Sequence, residues 1–285
     1  MLLVILEHEN GQLVEAAKEA LTFGRVLAEK MDEDLEAALI GSDDDDLVEE
    51  AGTYGAEDVH IVTHDLLTDY GPDAYGSVIV QMVEGLEPDA VLACGSDRGN
   101  EFMANAAARL DAPFVANCTD VTPGDTWEMT RVQWGGSLLE DSTLTADVPL
   151  LTCGLHAVVA EVGDEADADA EAFDVELDES VTITMVKDRV VQEAGVTLPT
   201  APVVCGGGRG VGSAEGFSHL EELAGLLGGR VGCSRAVTNL GWRPHSDQVG
   251  QTGTRIAPEI YIASGISGAI QHLSLIHISE PTRPY

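Results

Sequence analysis

Two α/β domains, the first built on a parallel sheet with helices on both faces, are predicted by three features of this sequence. Short apolar runs of strand length alternate with segments carrying apolar residues at helical spacing from residue 1 to residue 118. A proline-marked seam at 194–201, AGVTLPTA, separates an Ala/Asp-rich first part from a Gly-rich second part. In that second part each predicted strand runs into a glycine-rich turn, the place where open α/β sheets bind nucleotides.

The elements follow in order. Residues 1–7 are a continuous apolar run of the kind found in buried parallel strands. Residues 11–31 carry Leu13, Ala16, Ala17, Ala20, Leu21, Gly24, Leu27 and Ala28 at helical spacing. Residues 35–40 predict a strand, 43–52 an acidic helix with Leu47 and Val48 inward, and 58–63 a third strand. A helix over 75–86, a strand over 88–94 ending at GSDRGNE, a helix over 100–110 and a strand from 112 to 118 continue the alternation. Residues 127–134, 150–155 and 180–190 predict further strands, and the charged stretch 163–179 a solvated loop. In the second part, strands at 203–205, 230–233 and 259–263 bracket a helix over 217–227 that Gly228 and Gly229 stop. The predicted boundaries are 1–194 for the first domain, 195–273 for the second and 274–285 for a tail.

Composition excludes several classes. The chain has 50 acidic and 14 basic residues, a formal net charge of −36, with 44% apolar residues spread among ordinary core patterns. So few cations build no nucleic-acid footprint, and the field repels phosphate backbones and anionic lipid. The fitting environment is the cytoplasm of a salt-accumulating cell, where screening shortens self-repulsion to a few ångströms. No apolar run reaches the roughly 18 residues of a membrane span, and the N-terminus lacks a basic leader, so it reads as a strand rather than a signal peptide. Cys94, Cys118, Cys153, Cys205 and Cys233 form no CxxC pair and suit free thiols better than a metal or disulfide framework. His60, His64, His156 and His219 suggest no triad, and the acids at 43–46 lack the glycine and closing glutamate of a calcium loop. Neither a catalytic set nor a metal set is predicted.

The most informative stretch is 248–272, QVGQTGTRIAPEIYIASGISGAIQH. Its glycines at 250, 253, 265 and 268 suit either tight turns flanking a strand or close approach of backbone N–H groups to a bulky polar ligand. Residues 205–212, CGGGRGVG, lie between a strand and a helix; alone they are a weak dinucleotide signal, because Arg209 stands where that fingerprint carries no charge. Cationic Arg209 beside free backbone N–H groups makes an anion site plausible chemistry. Residues 231–235 read VGCSR.

Taken together, 203–273 resembles the flavin-binding region of the electron-transfer flavoprotein α subunit, and the first domain resembles it more weakly. The resemblance implies a nucleotide-hydrolase-like α/β domain used for subunit contact, followed by a flavodoxin- or Rossmann-like FAD-binding domain. It implies FAD contacts from Arg209, Ser234, Arg235, Val249, Gly250, Gln251, Thr252, Ser267, Gly268, Ala269, Ile270, Gln271 and His272. Arg235 would lie against the flavin ring, where a fixed cation stabilises the charge that reduction places there. The Thr252 hydroxyl would face ring N5, and His272 the pyrimidine carbonyl. The implied partners are a β subunit, flavin dehydrogenases such as acyl-CoA dehydrogenases, and a membrane quinone oxidoreductase. Residues 274–285, SLIHISEPTRPY, match neither the family pattern nor the acidic style of the chain and read as translated cloning or adapter sequence. The family's adenosine contacts would then be missing.

The charge balance predicts that removing salt unfolds the chain; far-UV circular dichroism in salt-free buffer identical to that in molar salt would contradict it.

Overall fold

A computed structural model describes residues 1–134, 138–163, 168–186, 196–250 and 252–268. The chain divides into two compact units, one of Met1–Val132 with Leu139–Arg189, the other of Gln133–Leu138 with Val190–Tyr285.

The first unit begins with β1 (Leu2–Leu6), whose five residues are all buried. Its side chains alternate between two cores, Leu2, Val4 and Leu6 into one and Leu3 and Ile5 into the other, as the two-residue strand period dictates. A small hairpin, β2 (His8–Glu9) and β3 (Gln12–Leu13), follows. Helix α1 (Glu15–Met31) buries Ala17, Ala20, Leu21, Gly24, Leu27 and Ala28. A Cβ at Gly24 would lie 3.1 Å from side-chain atoms of both Val4 and Leu35, so the missing side chain lets α1 sit close on the sheet. Next come β4 (Leu35–Ile40), α2 (Asp45–Thr53), β5 (Asp58–Val62), α3 (Pro72–Leu86), β6 (Ala90–Cys94) and α4 (Asp97–Leu110). Helices α1 and α2 pack with one core, α3 and α4 with the other. Strands β7 (Phe114–Thr122), β8 (Trp127–Gln133), β9 (Leu138–Leu144), β10 (Leu150–Cys153) and β11 (Asp169–Ala172) complete a nine-stranded sheet of order β11-β5-β4-β1-β6-β10-β7-β8-β9. Every pairing from β11 to β7 is parallel, and β7 pairs antiparallel with β8.

The second unit is a three-stranded parallel sheet, β13 (Arg230–Cys233), β12 (Val203–Gly207) and β14 (Ile260–Ser264), with β12 central. Helix α5 (Ser218–Leu226) packs Leu220 and Ala224 with Phe217, Cys205 and Cys233 into one small core. Ala201, Val204, Val249 and Ile256 form another. A five-residue helix, α6 (Arg235–Asn239), follows β13.

Three expectations need correction. The helix expected over 11–31 starts at Glu15, because Asn10 and Gly11, with φ of 55° and 74°, turn the hairpin before it; Asn-Gly is the favoured pair for such a turn. The loop expected over 163–179 contains β11, which adds to β5 at the sheet edge, with Phe173 and Val175 against the second core. The strand expected over 180–190 is absent from its described part, where Glu179–Thr182 is a short 3-10 helix capped by the Asp178 side chain on Ser180 N; residues 187–190 lie outside the described residues.

Strand order reverses between β1 and β6, the point at which doubly wound sheets open to ligands. In this unit the chain's own groups fill that point. The Ser96 hydroxyl donates to half-buried Glu7 and accepts from Gly99 N at 2.8 Å, capping α4. Thr152 Oγ1 donates to Asn100 Oδ1 (2.8 Å) and accepts from Asn117 N (2.9 Å), while Asn100 Nδ2 donates to Asn117 Oδ1 (3.3 Å). A Cβ at Gly95 would stand 2.4 Å from Asn117 Oδ1. Burial pushes the Glu7 carboxyl above the ordinary glutamate range, opposed by the Ser96 bond and by Arg98.

The sign of that shift sets a pH dependence. Glu7 holds its proton to higher pH folded than unfolded, so its contribution to stability falls as pH rises from the ordinary glutamate value through the raised one. Glu7→Gln is expected to flatten this fall and to be at least as stable as the parent at pH 7. Urea midpoints at several pH values in molar salt check it, and an unchanged slope would contradict the role.

Candidate functional site

The second sheet also reverses direction, between β12 and β14, and here the glycine turns meet. Gly207 pairs with Ser264 and with Cys233, so all three strands end at one edge. Beyond that edge Gly208 N donates to Ser264 O (2.8 Å) and Gly210 N to Gly265 O (2.9 Å), while Ser234 N donates to Gly207 O (3.0 Å). The turns after β12 and β14 therefore stack main chain on main chain. A Cβ at Gly208 would lie 2.2 Å from Gly265 O, and one at Gly265, whose φ is +66°, 2.6 Å from Gly210 C and Val211 N. A side chain at either position would push the turns apart.

The structure places the expected residues unevenly. Arg209 opens the short 3-10 turn Arg209–Val211 and is exposed. Ser234 follows β13 at the N-cap of α6 with its hydroxyl making no cap bond, and exposed Arg235 starts α6. Neither Arg209 nor Arg235 makes an ion pair among the described residues, whereas Arg243 is held by Glu221 and by Asp247 at 2.8 Å. Val249 is 2% exposed and packs in the core, its N–H donating to Cys233 O at 2.9 Å, so it anchors its turn. Gly250 is buried with φ +128° and its carbonyl accepts from Gly253 N at 2.8 Å. Thr252 is exposed at the tip of that turn. Ser267 and Gly268 are exposed on the turn after β14. Gln251, Ala269, Ile270, Gln271 and His272 lie outside the described residues.

A groove of about 330 Å³ brings Arg235 and Thr252 together, lined also by Thr238, Asn239, His245 and Gln248. Gln248 and Thr238 were not among the residues expected to contact the cofactor. Gln248 is 2% exposed, accepts from Thr238 Oγ1 at 2.6 Å and donates through Nε2 to Thr252 Oγ1 at 2.7 Å. The sequence signal was an amide four residues before a threonine, and its meaning appears only once α6 is folded beside the turn.

This arrangement suits an anionic, ring-bearing nucleotide cofactor. It offers two guanidinium groups without an ion pair among the described residues in a chain of net charge −36, closely stacked glycine turns, and exposed hydroxyl and amide groups at a switch point. Such a fold and edge define an α/β nucleotide-cofactor protein. Two family profiles match: "Electron transfer flavoprotein domain" over residues 2–179 and "Electron transfer flavoprotein FAD-binding domain" over residues 197–277. The electron transfer flavoprotein subunit alpha of Thermoanaerobacterium thermosaccharolyticum is 34% identical over 277 residues, covering 95% of this chain and 84% of the relative. That of Mycobacterium leprae is 34% identical over 283 residues, covering 98% and 86%. Protein FixB of Azorhizobium caulinodans is 34% identical over 286 residues, covering 94% and 75%. The chain belongs to the electron-transfer flavoprotein family, as an α subunit. Its cofactor is FAD and its role is electron transfer; the family implies a heterodimer with a β subunit that exchanges electrons with other redox proteins. Among the described residues no helix is long and apolar enough to cross a membrane.

Gly265→Ala combines a left-handed backbone with a main-chain clash, and is expected to cost at least about 2 kcal/mol of stability. Urea unfolding in molar salt measures it; a variant as stable as the parent would show that the stacked turns are not a constraint.

Proposed function

We propose that FAD is held in this chain by Arg209, Ser234, Arg235, Val249, Gly250, Gln251, Thr252 and residues 267–272, and that the first domain serves subunit contact rather than cofactor binding. The domain limits that go with this reading are 1–194 and 195–273. The observation that carries it is the shared groove of Arg235 and Thr252 at the open end of the second sheet. When bound, FAD supplies the redox chemistry. The chain's own work is binding, orientation and electrostatics. The turns after β12 and β14 bring the Arg209 side chain and exposed Ser267 to one edge, where they suit the cofactor's phosphates. Arg235 supplies fixed positive charge beside the groove, unneutralised by an ion pair among the described residues. A fixed cation there favours the more negative, reduced state of whatever ring occupies the groove.

The partners that fit this reading are a β subunit, flavin dehydrogenases such as acyl-CoA dehydrogenases as donors, and a membrane quinone oxidoreductase as acceptor. The setting is the cytoplasm of a halophile, which the net charge of −36 supports.

Co-expression with a β chain, followed by purification in molar salt, is expected to give a yellow complex with one FAD. A colourless complex that oxidises NADH would overturn the reading in favour of a dehydrogenase. Arg235→Ala is expected to lower the flavin midpoint potential, read by spectroelectrochemical titration, while FAD remains bound. An unchanged potential would remove Arg235 from this role.

A further inference from the structure

Among the groups lining the groove, Gln248 is buried although it carries two donors and an acceptor, so its amide must be satisfied within the protein. It spans two threonines. Thr238 Oγ1 stands 2.6 Å from Gln248 Oε1, and Gln248 Nε2 stands 2.7 Å from Thr252 Oγ1. The distances support this orientation of the amide. A separation of 2.6 Å lies within the O–H···O range and below that of N–H···O, whereas 2.7 Å suits either. Thr238 Oγ1 also lies 3.0 Å from Arg235 O, a longer alternative for its single proton.

A threonine hydroxyl has one proton to donate. Because Thr252 Oγ1 accepts from Gln248, that proton is left for the groove, where Thr252 is exposed. We propose that Gln248 is a positioning residue that sets the polarity of Thr252, making its hydroxyl a hydrogen-bond donor toward an acceptor on the bound flavin. The inference rests on the assignment of this groove to the flavin ring. The same chain of bonds reaches α6 through Thr238, and Arg235 begins that helix. The donor hydroxyl and the fixed cation are thus held by one connected element. Reversing the amide would turn the Thr252 proton inward and present only lone pairs to the groove.

The test uses the full-length chain in its FAD-loaded complex with the β subunit, in molar salt. Gln248→Met removes both bonds at nearly constant volume, Thr252→Val removes the hydroxyl, and the double variant closes a cycle. Two readouts are taken: the FAD dissociation constant by flavin fluorescence, and the ring N5 resonance of 15N-labelled FAD. Gln248→Met is expected to raise the dissociation constant about threefold to tenfold, the range for one lost hydrogen bond. It should also move the N5 resonance in the same direction as Thr252→Val. In the Thr252→Val background, Gln248→Met should change neither readout further. Full-sized effects persisting in that background, or an unmoved N5 resonance in Gln248→Met, would overturn the proposal. If circular dichroism shows that Gln248→Met does not fold, Thr238→Val, which cuts only the far bond, takes its place with the same expected pattern and the same overturning result. A parent complex without FAD would overturn the site reading itself, whereas additive variant effects in a complex that holds FAD would overturn this inference alone.

Discussion

The absence of a Cβ at three positions, Gly208, Gly210 and Gly265, is the constraint on which the second unit depends. A parallel sheet whose order reverses leaves a crevice at its C-terminal edge, and what fills that crevice decides what the sheet can hold. Here the turns after β12 and β14 lie main chain against main chain, joined by the bonds from Gly208 N to Ser264 O and from Gly210 N to Gly265 O. With these turns locked, Arg209 and Ser267 are presented from neighbouring strands, and the bond from Ser234 N to Gly207 O places the start of α6, with Arg235, at the same edge.

The first unit shows the opposite solution at its own switch point. Glu7, Ser96, Asn100, Asn117 and Thr152 satisfy one another there, and Asn117 occupies the space beside Gly95. Two sheets with the same parallel logic thus differ at their switch points: one fills its crevice with its own polar side chains, and the other lines it with glycine turns and with arginines that make no ion pair among the described residues.

Much of this was legible in the sequence because it is written in local patterns. Residues 35–40 and 230–233 carry period and length enough to fix β4 and β13 to the residue. The glycine turns and the Ser-Arg pair are equally local in sequence, and they lie together at the open edge. Features that depend on pairing between distant segments were not legible. Strand β11 alternates acids only with alanines, too little apolar surface to stand out from a solvated loop, and owes its place to β5. The β7–β8 pair turns the end of the sheet antiparallel, which no local period announces. Gln248 looked like one polar residue of a turn, and its bonds to Thr238 and Thr252 exist only because α6 folds back beside it. Val249 has its side chain in the core, and its amide ties the turn to β13.

Hydrogen–deuterium exchange of the complex with and without FAD tests most directly the claim that the second unit's open edge, and not the first unit's filled one, receives the cofactor. The account predicts slowed exchange on FAD addition in peptides spanning 207–212, 234–239, 248–254 and 264–268, with 95–101 and 152–156 unchanged. Protection confined to 95–101 and 152–156 would contradict it.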